Sequence, residues 1–191
     1  GAGGTYEVEG ADKVRSALEA CDTLAVDVGT LIHDQAPSVQ QSAMIAMGRL
    51  CGLSGDIRGK LVQRKQVEHV ITTIQGAASH ATLKAAHYLL YATVRNSAEA
   101  AQVAVECGAM PALHEQLEAL DPLVKADAAW CCAGIANHNA ALASAVAEGG
   151  GGSVLALLSQ CLKEPSLPLR RIALSCASCV GKHDATLAGL L

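Results

Sequence analysis

The chain has 191 residues, of which 51% are hydrophobic and 17% charged, and a formal net charge of −4. That is too apolar for a disordered chain and long enough to bury a core. The modest negative charge gives no electrostatic ground for nucleic acid, and no run of about 18 apolar residues is free of charges and breakers, so no membrane span is expected.

The apolar content is unusual in kind: Phe is absent, Trp130 is the one tryptophan and there are three tyrosines, leaving Ala, Leu and Val to fill the core. Ala is the best helix former, whereas sheets favour aromatic and β-branched residues, so the composition predicts an all-α fold. The eight cysteines (21, 51, 107, 131, 132, 161, 176 and 179) sit among Ala and Leu in helical patterns. They read as reduced thiols acting as small hydrophobes in an intracellular protein, without a disulfide framework. Gly1-Ala2-Gly3-Gly4 is not a signal peptide, because no basic segment precedes an apolar one. The missing Met leads us to expect a start inside a longer protein or after processing.

In chain order, a flexible segment (1–10) precedes a repeat of about 11–53. Ala36-Pro37 opens the long helix of this repeat, and VQQSAMIAMGRL begins at Val39. A second repeat, about 54–97, carries LKAAHYLLYATV from Leu83 and ends at Asn96-Ser97. The third, about 98–138, is the clearest. Ala98–Cys107 is a first helix, Gly108-Ala109 a turn, and Met110–Leu120 a second helix bearing Leu113, Leu117 and Leu120. Asp121-Pro122 then supplies an N-cap acceptor and a proline for VKADAAWCCAGI, which starts at Val124 and ends at Asn137-His138-Asn139. A fourth repeat, about 139–183, passes through Gly149–Gly152, read as a loose joint, and Pro165-Ser166 to LRRIALSCASCV from Leu169, ending at Lys182-His183-Asp184. Residues 184–191 match the start of another first helix, with Leu187 and Leu191 in the places of Leu142 and Val146. Its apolar edge predicts either a longer array or end-to-end stacking on a neighbouring molecule.

The starts of the four long segments lie 44, 41 and 45 residues apart, within the period of about 40–47 residues for armadillo and HEAT repeats. Taking each start as column 0, the apolar columns are 0, 4, 7, 8 and 11, one face of a helix. Column 4 reads Ala43, His87, Ala128, Ala173, so His87 stands out.

No constellation of side chains suggests chemistry. Cys176-Ala-Ser-Cys179 is a lone CxxC inside a helix, read as core packing for Cys176, as are Cys131 and Cys132. No His-Glu-x-x-His occurs, and His138 and His183 share column 14 at helix ends. The glycine run lacks the Lys-Ser/Thr and the preceding strand of a phosphate loop. No cofactor, metal or catalysis is expected.

"CGAMPAL" in the second helix and "DAAWCCAGIA" in the third resemble the armadillo repeat. "PSVQQSAMIAMGRLCGLSGD", "AVECGAMPALHEQLEALDPLVKADAAWCCAGIANHNAAL" and "LPLRRIALSCASCVGKHDATLA" resemble the central-pair armadillo family of motile cilia, the sperm-associated antigen six type, over roughly 20–191. The resemblance implies a right-handed α-solenoid of about four three-helix repeats. It implies a non-enzymatic scaffold of the central apparatus in the axoneme, binding central-pair proteins and tubulin. The alternative is a general armadillo adaptor in the cytoplasm, holding a peptide or signalling protein in the groove of its third helices. Nuclear-import adaptors use Trp-x-x-x-Asn there; here column 6 is Ile45, Leu89, Trp130, Ser175 and column 10 is Arg49, Thr93, Gly134, Cys179, so that version is not expected, and Trp130 reads as packing. Column 1 reads Gln40, Lys84, Lys125, Arg170, with Arg171 next, and predicts a basic ladder for an acidic partner surface. Lys84, Lys125, Arg170, Arg171 and Arg49 are the candidate partner-binding residues. Arg58, Lys60, Arg64 and Lys65 form a weaker second cluster.

Overall fold

The computed structural model describes residues 13–14, 16–17, 22–63, 65–77, 79–149, 153–183 and 189. Among them every regular element is a helix: α1 (Asp22–Leu31), α2 (Pro37–Leu53), α3 (Gly55–Gln63), α4 (Gln66–Gln75), α5 (His80–Val94), α6 (Ala98–Glu106), α7 (Ala109–Leu117), α8 (Pro122–Ala136), α9 (Ala140–Glu148), α10 (Val154–Cys161) and α11 (Leu167–Gly181). From α3 onward they run as triplets of two short helices and one long one. The long helices stack in sequence, α2 on α5, α5 on α8 and α8 on α11, so each repeat buries its apolar face only against its neighbours. The segment 1–10, expected to be flexible, lies outside the described residues, as do Cys21, Arg64, Gly150–Gly152 and all but residue 189 of the expected partial unit at 184–191.

Local chemistry sets the boundaries. Ser79, Ser97, Asp121, Asn139, Ser153 and Ser166 each accept a hydrogen bond from a backbone N–H in the first turn of the following helix. Pro122 follows Asp121 as expected, while α11 begins at Leu167 with Ser166 as its cap. Gly108 turns the chain between α6 and α7 at φ 88°, a left-handed conformation that suits glycine. The second helix of that repeat stops at Leu117. Leu120, expected on its apolar face, is 99% exposed, because the chain must break before the Asp121 cap.

The N-caps correct the alignment of the second repeat. Three residues beyond each cap lie Val39, Thr82, Val124 and Leu169, so column 0 holds Thr82 and not Leu83. Thr82 is polar yet only 5% exposed. Its hydroxyl accepts from Gln41 Nε2 and shares a hydrogen bond with Ser79 Oγ, each at 2.9 Å, which offsets the cost of burial. With this one-residue shift column 4 becomes Ala43, Ala86, Ala128 and Ala173, all buried. So small a buried side chain at one position of every long helix leaves room for close packing there. His87 moves to column 5, where it is 2% exposed and neither ring nitrogen makes a well-formed hydrogen bond. Burial lowers its pKa from 6.5 to about 4, against a partial upward pull from the Leu83 carbonyl.

The thiols behave as small hydrophobes. Cys51, Cys131, Cys132, Cys161 and Cys176 are buried, Cys107 and Cys179 half-buried, and all seven are free. Burial pushes the Cys132 thiol up to about 12 and the Cys51 thiol up to about 11.

Candidate functional site

The side of the long helices turned away from the core carries the site. In the corrected numbering this side runs through columns 2, 6, 9, 10 and 13, about one turn of helix apart, where small buried residues (Gly48, Ala92, Ala126, Ala133 and Gly134) form the floor between exposed ones. Column 6 reads Ile45, Tyr88, Trp130 and Ser175, the first three exposed and the last half-buried. Column 13 reads Gly52, Arg95, Asn137 and Lys182, all exposed.

Three hollows follow one another along this stripe. The first, about 430 Å³, lies between α2 and α5 and is lined by Arg49, Tyr88, Tyr91 and Arg95. The second, about 260 Å³, is lined by Tyr91, Arg95, Asn96, Trp130, Asn137 and Cys179. The third, about 340 Å³, lies between α8 and α11 against Trp130, Arg171, Ile172 and Ser175. Tyr91 and Arg95 line both the first and the second, and Trp130 and Ser175 both the second and the third. The three are therefore one continuous groove across the long helices of four repeats.

Small residues make room for its aromatic walls. A Cβ on Gly48 would stand 2.7 Å from the Tyr88 ring, so glycine lets that ring lie against α2. The ring centroids of Tyr91 and Trp130 are 5.5 Å apart with planes tilted by 47°, and the Arg95 guanidinium sits 5.5 Å from the Tyr91 centroid. The sequence assigns Trp130 to packing. It does pack on Tyr91, but it keeps 39% of its surface exposed, in the groove wall.

The basic ladder is redistributed. With the shift, Lys84 moves to column 2, in line with Arg171 and away from Lys125 and Arg170. Lys125 is half-buried in an ion pair with Glu164 of the next repeat, so its charge is spent within the fold. Arg170 is exposed on the flank of α11. Lys84 lies in the electrostatic field of Asp127, whose carboxyl is held above its ordinary range by burial and drawn back by Lys84 and His80. Arg49 and Arg171 line the groove. Sequence reasoning missed Arg95, because helix ends were treated only as punctuation and the alignment from Leu83 put Asn96 beside Asn137 and Lys182; Arg95 enters that column only with the one-residue shift. The second basic cluster disperses. Arg58 donates to the Cys51 carbonyl at 2.6 Å and Lys60 pairs with Asp56 at 3.1 Å.

Polar contacts tie the repeats together at the same helix ends. His138 Nε2 is 2.7 Å from the Val94 carbonyl, and Lys182 Nζ donates to Asn137 Oδ1 at 2.5 Å. Among the described residues no group of three or more His, Cys, Asp or Glu is placed to hold a metal, and no helix is long and apolar enough to cross a membrane.

Solved structures with this architecture exist at low sequence identity. A designed armadillo repeat protein superposes with a TM-score of 0.78 at 18% identity, covering 86% of this chain and 68% of that one. A second, in complex with the peptide (KR)4, gives 0.78 at 19%, with 86% and 67% covered. The fold is the armadillo-repeat solenoid. An engineered protein reaches 0.81 at 17% identity over 94% of this chain, which spans 42% of its length. The chain spans about two thirds of the length of the two designed armadillo proteins. No family model and no curated protein matches the sequence.

Proposed function

We propose that the protein is a non-catalytic scaffold that binds other proteins, and that the groove along its long helices is the binding face. The observation that carries this reading is the continuous groove walled by Tyr88, Tyr91 and Trp130. Partly exposed aromatics in a preformed groove supply contact area at low entropic cost, the usual anchors of protein recognition. The fold adds weight, since one structural neighbour is a designed armadillo protein in complex with a peptide.

The finer reading is a component of the central apparatus of motile cilia, with central-pair proteins and tubulin as partners. Its support is the sequence resemblance, strongest from Val105 to Leu142. End-to-end stacking on another armadillo chain is supported by an apolar hollow of about 730 Å³ against Leu155, Leu158, Leu162 and Leu174 in the last repeat.

The test is a pull-down from motile cilia with the tagged chain and with its Trp130→Ala variant. Central-pair components recovered by the parent and lost by the variant support scaffold, groove and location together. Recovery by both moves the contact to another face. Recovery of neither sinks the axonemal reading and leaves the general adaptor.

A further inference from the structure

The groove is selective in charge. Of the twenty positions in columns 2, 6, 9, 10 and 13 of the four long helices, Arg49, Lys84, Arg95, Arg171 and Lys182 are cationic and none is acidic. The residues lining its three hollows likewise include no Asp or Glu. Yet the chain as a whole holds 18 acidic against 14 basic residues. Asp127 stands one column aside and faces Lys84 and His80. Among the described residues Arg49, Arg95 and Arg171 have no ion-pair partner, in contrast to Lys125.

Resting on the protein-binding reading, we infer that the groove takes an extended acidic peptide segment, its Asp and Glu side chains paired with Arg49, Arg95 and Arg171. Arginine suits such pairing, because its planar guanidinium presents a fork that matches a carboxylate and also stacks on aromatic faces. Arg95 already lies beside Tyr91, so a carboxylate there meets a charge held in place by a ring. The aromatic walls between the arginines grip the apolar residues of the same segment. Cations facing a groove repel a basic ligand, so this surface rejects peptides of the (KR)4 kind that accompany the designed neighbour.

The deciding experiment selects from a library of random peptides of about a dozen residues with the full chain, long enough in extended form to cross all four long helices. Enriched peptides are then titrated by fluorescence anisotropy against the parent, Trp130→Ala, an Arg95→Glu/Arg171→Glu double variant and Arg170→Glu. All three arginines are exposed, so circular dichroism and melting temperature serve as controls for folding. The expected result is enrichment in Asp and Glu, affinity about tenfold lower in the double variant, little change in Arg170→Glu, and weakening as salt rises. Neutral or basic peptides whose binding is lost in Trp130→Ala overturn the acidic preference and keep the groove. Acidic peptides that ignore the double variant but lose binding in Arg170→Glu overturn the assignment to this groove. No peptide dependent on Trp130 sinks the groove reading itself.

Discussion

Tyr91 and Trp130 belong to consecutive repeats and meet ring against ring, 5.5 Å between centroids and 47° between planes. The contact joins two functions that are usually separate. It fastens the long helix of one repeat to the next, and it walls the middle hollow, which Tyr91 links to the first and Trp130 to the third. Because Trp130 is the one tryptophan, its fluorescence reports on the groove alone. A ligand seated there shifts or quenches its emission, and a ligand bound elsewhere leaves it unchanged. Trp130→Ala costs about 1–2 kcal/mol in a urea titration, less than a buried tryptophan, since part of the ring already faces solvent.

His87 makes stability depend on pH in one direction. Its folded pKa, about 4, lies below the unfolded 6.5. The folded state thus binds fewer protons, and stability is full above the unfolded pKa. It falls as pH drops from 6.5 towards 4, by roughly 3 kcal/mol from this group. His87→Met keeps a similar volume and removes the titration. Urea midpoints for parent and variant should diverge as pH falls from 7 to 4.5, because the parent loses stability that the variant keeps. Parallel curves would show that His87 is not buried as described.

The alanine column predicts intolerance of size where sequence alone would allow any apolar residue. Ala86 and Ala128 are fully buried at the same position of two stacked long helices. Ala128→Leu or Ala86→Leu forces the stack apart, at about 2 kcal/mol each. Leu174→Ala, at an exposed site on the same kind of helix, should fall within about 0.5 kcal/mol.

Thiol reactivity should follow burial. Among the described thiols, iodoacetamide under native conditions modifies Cys179 and Cys107 first, both half-buried. Cys51, Cys131, Cys132 and Cys176 stay unmodified until denaturant is added, because burial both shields them and raises their pKa. Peptide mapping by mass spectrometry after timed alkylation gives the order. Early labelling of Cys131 or Cys132 would contradict the packing.

Lys125 and Glu164 offer a measure of how strongly adjacent repeats are coupled. Both side chains are partly shielded, so a double-mutant cycle with Lys125→Met and Glu164→Gln should give a coupling of about 1 kcal/mol, reduced by salt.

The sequence by itself determined the class, the period and the buried face. Repeated apolar spacing, with Asp121-Pro122 and Gly108 as punctuation, is sufficient for that, since a helix must hide one stripe and end where its caps permit. It also identified Arg49 and Arg171, by their columns, as residues on a candidate surface. Only the tertiary structure decided the position of the second repeat. Leu83 fits an apolar column better than Thr82 does, and nothing local reveals that Gln41, from another repeat, satisfies the threonine hydroxyl. That single residue decides which cations share a line: Lys84 leaves Lys125 and Arg170 and joins Arg171. The structure likewise spent the charge of Lys125 on Glu164 and set Arg95 beside Tyr91 in a groove. Those pairings join residues in space that no local spacing relates, and they turn a list of basic residues into a surface with one sign of charge.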